Sequence, residues 1–257
     1  MNHPLIDYLL YQADNNLILA QRNSEWCGHG PVLEQDIAIS NISLDLIGQA
    51  RNFYQYAAER INQESSHRFK PATEDNLAYL RGERDFSNAL LTELPKGDWA
   101  VTVTRQFFYS VYQYLLYEQL QQSRDEQIVA IATKSLKEVA YHVKWSSEWV
   151  IRLGDGTEES HHRMRQAIQQ LWPYTGELFL PSDCEKSAAL TGIGCDVTML
   201  KQPWLKRIET VFAEATLDMP GDAFMHTGGK NGMHTEHMGL ILAEMQYLQR
   251  SIPNASW

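Results

Sequence analysis

Apolar residues recur at three- and four-residue spacing over long stretches of this chain, and clusters of glycine and proline divide the stretches. These joints lie at 28–31, 71, 95–97, 154–156, 181, 192–194, 220–221 and 228–232. Between them the spacing predicts helices over 4–24, 34–63, 98–123, 125–153, 158–179, 199–218 and 235–251. No stretch alternates as a strand would, and no repeat or low-complexity tract interrupts the pattern. The expectation is an all-α bundle of long helices, built as a single domain over 1–257.

Two of these segments carry polar residues on faces that the pattern assigns to the interior. In 125–153, Ile128, Ile131, Ala132, Ser135, His142, Trp149 and Leu153 form one face. At about 100° per residue Glu138 lies only about 40° from His142, so both are expected within that stripe. The 34–63 segment is apolar almost all round, through Ile37, Ile39, Ile42, Leu44, Leu46, Ile47 and Phe53, and reads as a central helix enclosed by neighbours. Asn41, Asp45 and Gln49 run down it at four-residue steps, continued by Asn52 or Phe53. A buried line of this kind needs partners, because an unpaired carboxylate there costs several kcal/mol.

Acids inside a helical bundle raise the question of metal. A carboxylate-bridged di-iron bundle takes a Glu from each of two helices and a Glu-x-x-His from each of the other two. The nearest equivalents here are Asp45-Leu46-Ile47-Gly48, with no imidazole, and Glu138-Val139-Ala140-Tyr141-His142, with the imidazole one residue late. Literal Glu-x-x-His strings occur at Glu64–His67, Glu158–His161 and Glu159–His162, but at a polar helix end and a helix start, where capping explains them. The 98–123 helix has acids only at its ends, Asp98 and Glu118, and its interior is aromatic: Phe107, Phe108, Tyr109, Tyr112, Tyr114 and Tyr117. That face reads as packing or interface surface. No catalytic, cofactor-binding or metal residue is therefore assigned. Asp45, Glu138 and His142 are the candidates for a vestigial site, held by hydrogen bonds or ion pairs with bases such as Arg51, Lys134 or Arg105. The rival reading is a metal-binding oxidase or oxygenase in its own right, using those three residues and the C-terminal histidines.

Those histidines stand in Gly228-Gly-Lys-Asn-Gly-Met-His-Thr-Glu-His237, which ends in an H-x-x-H. Zinc would need a third ligand, for which Cys27 or His29 would have to approach in space. The alternative is structural: Thr235 caps the last helix, Gly228 and Gly229 make a tight turn, and Met238, Leu242, Met245 and Leu248 bury its face. A single Lys in a glycine-rich run is a weak phosphate signal without a nucleotide-binding pattern.

Charge and cysteine usage narrow the partners. With 22 Lys and Arg against 32 acids, and a formal charge of -10, nucleic acid is a poor partner. Cys27, Cys184 and Cys195 are scattered and odd in number, which suits a reducing cytoplasm better than a disulfide framework. The Met1–Tyr11 stretch lacks the basic lead-in of a signal peptide, and no apolar run has the length of a membrane span.

The sequence resembles the PaaC-type subunits of bacterial phenylacetyl-CoA epoxidases, the multicomponent monooxygenases of aerobic phenylacetate degradation. The resemblance rests on Ser24-Glu-Trp-Cys-Gly-His29, Leu44-Asp-Leu-Ile-Gly-Gln-Ala-Arg-Asn-Phe53, Lys137-Glu-Val-Ala-Tyr-His142, and Thr227-Gly-Gly-Lys through His234-Thr-Glu-His to Leu242-Ala-Glu-Met-Gln-Tyr-Leu-Gln-Arg250. It implies a ferritin-like four-helix bundle with additional C-terminal helices. It also implies a structural subunit paired with PaaA, which carries the di-iron centre, while a reductase subunit with flavin and iron–sulfur groups delivers electrons from NADPH. Other epoxidase subunits and a second copy of the chain are further partners to consider. A third reading is an all-helical scaffold for some other partner.

Overall fold

The computed structural model describes residues 3–252, and among these residues it contains helices and no strand. Met1 and Asn2 of the N-terminal stretch, and 253–257, lie outside the described residues. In chain order the helices are α1 (Pro4–Ser24), α2 (Leu33–Gln63), α3 (Glu74–Tyr79), α4 (Leu90–Glu93), α5 (Trp99–Leu120), α6 (Glu126–Gly154), α7 (Glu158–Leu171), α8 (Asp183–Thr191), α9 (Lys201–Glu214), α10 (Glu236–Met245) and α11 (Tyr247–Ser251). The chain is all-α, as a ferritin-like bundle requires. It divides into two compact units, Met1–Pro95 with Gly228–Trp257, and Lys96–Thr227.

The first unit is built on α1 and α2, consecutive helices whose short connection makes them antiparallel neighbours. Pro4 occupies the first turn of α1, where its missing N–H costs nothing. From Ile6 to Ala20 every α1 residue but Asp7 is buried, polar Gln12, Asp14, Asn15 and Asn16 included. By contrast α2 is not enclosed: Ile39, Ile42, Leu46, Phe53 and Ile61 face inward, while Leu33, Ile37, Leu44 and Ile47 are exposed. The all-round apolar pattern therefore reflects two apolar faces, one of which is left exposed among the described residues.

The second unit is built on α5 and α6, joined by a tight connection and covered by α7 and α9. Asp98, Asp125 and Thr157 cap the starts of α5, α6 and α7 by accepting backbone N–H bonds. The aromatic interior expected of α5 is core except for the half-buried Tyr114: Phe107 and Phe108 lie against Phe212, Phe108 against Trp172 and Trp204, and Tyr112 against Phe179. Trp204 is fully buried because its indole N–H donates to the Phe108 carbonyl at 2.9 Å.

Three expected helices are interrupted. The 158–179 segment stops at Leu171, and Pro173 leads it into 3-10 turns at Trp172–Tyr174 and Gly176–Phe179. The 199–218 segment begins with a 3-10 turn, Val197–Leu200, and its α-helix ends at Glu214, just before the left-handed Thr216. At the C-terminus the helix breaks at Gln246, and Leu248 is exposed instead of buried. The short α3, α4 and α8 lack enough turns to register as a periodic pattern.

Candidate functional site

The first unit holds a buried polar lattice that fastens its connecting segments to α1. Asp14 is wholly buried on that helix, and its carboxylate pairs with the equally buried Arg81. The same carboxylate accepts the Tyr54 hydroxyl at 2.6 Å and the Ser87 N–H at 2.9 Å. Arg81 also donates to the carbonyls of Leu77 and Asp85. Burial opposes its positive charge, but the neighbouring Asp14 and Tyr54 outweigh that and hold the guanidinium protonated. Burial, then the Asp14 charge, pushes the Tyr54 hydroxyl well above its ordinary range, so Tyr54 stays a donor.

A second buried acid, Glu93 at the end of α4, is equally committed. One carboxylate oxygen accepts the Thr235 N–H at 2.6 Å, and the other faces His234 Nδ1 at 2.7 Å and the Asn88 amide at 2.9 Å. Its backbone carbonyl takes both Nε and a terminal nitrogen of Arg22, at 3.0 and 2.9 Å. The glycine-rich loop sits tightly against the same segment. A Cβ on Gly229 would lie 2.4 Å from the Asn88 carbonyl oxygen, which is why this turn takes glycine. Gly229→Ala is expected to destabilise the chain by about 1–3 kcal/mol, as an overpacked backbone contact does, and a urea melt would measure it. As expected, Thr235 caps α10 and Gly228 and Gly229 lie in a tight turn, which runs on to Gly232.

The residues singled out from the sequence fall in different places. Asp45, half-buried, lies on α2 in the first unit; Glu138, half-buried, and His142, fully buried, lie on α6 in the second. Glu138 is thus at the edge of the buried stripe and not within it. The polar line on α2 is not buried along its length: Asn41 is exposed, Asp45 half-buried and Gln49 buried. Four-residue steps advance a helix by about 40° beyond a full turn, so such a line drifts across the surface. Arg51 reaches Glu74 at 3.5 Å, and Lys134 is exposed. His234 is bound to Glu93, while His29 bonds locally to the Cys27 carbonyl on an exposed loop. Of the acids that matter most to the first unit, Asp14 and Glu93 escaped sequence reasoning. Their only local signal is an acid set inside an apolar run.

The exposed side of α2 carries an ordered row of apolar residues. Leu33, Ile37, Leu44 and Ile47 fall on one line with Ser40 and Arg51, spaced alternately by four and three residues. This is the spacing with which one helix packs along another. Beside it, Leu17, Ile47, Ala50, Tyr54, Ala78 and Tyr79 help line a groove of about 210 Å³.

A sequence model of the phenylacetic acid catabolic protein family, PaaA_PaaC, matches residues 1–257. The chain belongs to this family. It is also 46% identical over 253 residues to the C subunit of the 1,2-phenylacetyl-CoA epoxidase of Escherichia coli (strain K12), covering 98% of this chain and 99% of that protein.

For this member of the phenylacetic acid catabolic protein family, the donor set decides whether a carboxylate-bridged di-iron centre fits. It does not fit. Gly48 and Tyr141 stand where the two imidazoles would be required, and both are exposed. α5 carries no acid between Trp99 and Tyr117, and the buried acids Asp14 and Glu93 already accept N–H and O–H donors of the protein. Among the described residues, no three His, Cys, Asp or Glu side chains are grouped so as to hold a metal ion.

Proposed function

We propose that this chain is the structural, non-catalytic subunit of a ring-1,2-phenylacetyl-CoA epoxidase in aerobic phenylacetate catabolism. It supports a homologous catalytic subunit of the PaaA type, which holds the di-iron centre, while a reductase with flavin and iron–sulfur groups supplies electrons from NADPH. The observation that carries this reading is the commitment of the buried acids Asp14 and Glu93 to protein donors, so that binding iron there would mean breaking the contacts that fasten the first unit. Relatedness to the C subunit of an epoxidase over nearly the whole of both chains supports the pathway assignment. The match of one family model to 1–257 supports reading the chain as one ferritin-like domain.

A subunit of this kind acts through its surface. The exposed line of Leu33, Ile37, Leu44 and Ile47 suits a helix of a homologous bundle, because large permanent interfaces are more apolar than ordinary surface. We place the assembly in the cytoplasm, on the scattered cysteines and the NADPH-dependent chemistry. No helix among the described residues is long and apolar enough to cross a membrane.

The test is metal analysis of the purified chain together with reconstitution. Alone it should bind no stoichiometric iron or manganese and should not consume oxygen. Added to a PaaA-type chain and the reductase, it should form a stable complex and restore epoxidation of phenylacetyl-CoA. Two irons per isolated chain with oxidase activity would overturn the proposal in favour of an enzyme in its own right.

A further inference from the structure

The C-terminal segment of the first unit is held at one point by a group that can change its charge near neutral pH. His234 presents both ring nitrogens to acceptors: Nδ1 lies 2.7 Å from a Glu93 carboxylate oxygen and Nε2 lies 3.0 Å from the Phe86 carbonyl. A neutral imidazole has one N–H and one lone pair, so it can satisfy only one of these acceptors. The imidazolium satisfies both. The ring and the Glu93 carboxylate are both fully buried, so water does not replace the lost bond.

We propose that His234 is a protonation clip, fastening the segment from Gly228 through α10 and α11 to the 86–93 connection as an imidazolium and loosening it on deprotonation. The proposal does not depend on the subunit reading above. The charged groups around the clip are Glu93, which faces Nδ1, and Asp14 on α1, whose own carboxylate is taken by Arg81. Arg22 of α1 is directed to the backbone carbonyl of Glu93 and to Glu25, leaving the Glu93 carboxylate to the histidine and its neighbours. Lys230 of the same loop lies over the Tyr11 ring, its Nζ 5.1 Å from the centroid.

Burial disfavours the imidazolium, but the hydrogen bond and charge of Glu93, the Phe86 carbonyl and the Asp14 charge together outweigh it. The folded value is raised above the ordinary 6.5. The sign follows from linkage: the clip is fully closed below 6.5, and its contribution is lost as pH rises through the raised folded value. What loosens is specific. Met238, Ile241 and Leu242 are the buried residues of α10, and Gln246 and Arg250 donate to the Arg81 carbonyl at 3.0 Å each.

Two measurements on the full chain test this. In the first, the imidazole nitrogens of ¹⁵N-labelled protein are followed by NMR from pH 6 to 9. One ring, assigned by its loss in His234→Gln, should keep both protons above pH 6.5 and then lose one. In the second, hydrogen exchange in 236–246 is corrected for the intrinsic pH dependence of exchange. The opening constant should climb above pH 6.5, by up to about tenfold per unit, while α1 amides do not change. In His234→Gln the same segment should open more readily at pH 6 and show no such climb. A His234 ring that titrates at or below 6.5 overturns the proposal, as does a wild-type opening constant that does not vary with pH. The wild-type measurements stand alone if the variant does not fold.

Discussion

Arg81→Met is expected to destabilise the first unit by about 3–5 kcal/mol, the usual consequence of leaving a buried carboxylate without its counter-ion. Asp14 is fully buried, so removing Arg81 strands a negative charge faced by neutral donors, the Tyr54 hydroxyl and the Ser87 N–H and hydroxyl. Against a total stability of about 5–15 kcal/mol this is a large share. It should lower the thermal midpoint by about 6–20 °C for a chain of this size. The double variant Asp14→Leu, Arg81→Met should be less destabilised than Arg81→Met alone, because it removes both charges from the interior. Tyr54→Phe, which removes one neutral donor, should cost only about 1–2 kcal/mol. Urea and thermal melts of the four proteins measure all of this. A loss below about 1 kcal/mol for Arg81→Met would mean that the pair does not fasten the unit.

Association should respond as strongly to changes on α2. Ile37 and Leu44 are 51% and 64% exposed, so placing aspartate at both leaves the interior untouched and the fold intact by circular dichroism. If a PaaA-type subunit packs on this line, two desolvated charges at its centre should weaken the complex by about 100-fold or more, since single central anchors are commonly worth about 2 kcal/mol or above. Lysine at the same two positions should have the same effect, which separates loss of apolar contact from a simple increase in the chain's net charge of -10. Leu190→Asp, at an 88% exposed position on α8 in the other unit, serves as the control. Sedimentation of the mixed subunits reads the result. Unchanged association of the α2 variants, or loss only in Leu190→Asp, would remove α2 from the interface.

Much of the helical framework was legible from short-range pattern. α1 runs from Pro4 to Ser24, as expected from its apolar spacing, and α2 and α6 match their expected spans to within a residue at each end. Helix ends are set by caps and breakers a few residues away, and these are visible in sequence. Where a breaker was passed over, at Pro173, the expected helix ran on too long. The absence of correctly spaced imidazoles at Gly48 and Tyr141 was equally readable, because ligand spacing on one helix is a local property.

The pairing of charges was not legible. Asp14 and Arg81 are 67 residues apart, and Glu93 and His234 are 141 apart. Nothing in the local sequence of either partner names the other. Arg51, a candidate partner for Asp45 or Glu138 by sequence, instead reaches Glu74 across the gap between α2 and α3. The H-x-x-H spacing makes His234 a candidate zinc ligand by sequence, and the fold uses it as a hydrogen-bonded partner of Glu93 and Phe86.

The residues in order were enough to establish helix content, most helix limits, the missing ligand spacing and the kinship with phenylacetic acid catabolic proteins. Each of these rests on contacts within about one helical turn, or on the order of residues itself. Which apolar face of α2 stays open, why the acids of α1 and α4 are tolerated inside, and which histidine holds the C-terminal segment depended on the tertiary structure. Burial and ion pairing join side chains that are distant along the chain, and their energies follow from the position of the partner in space.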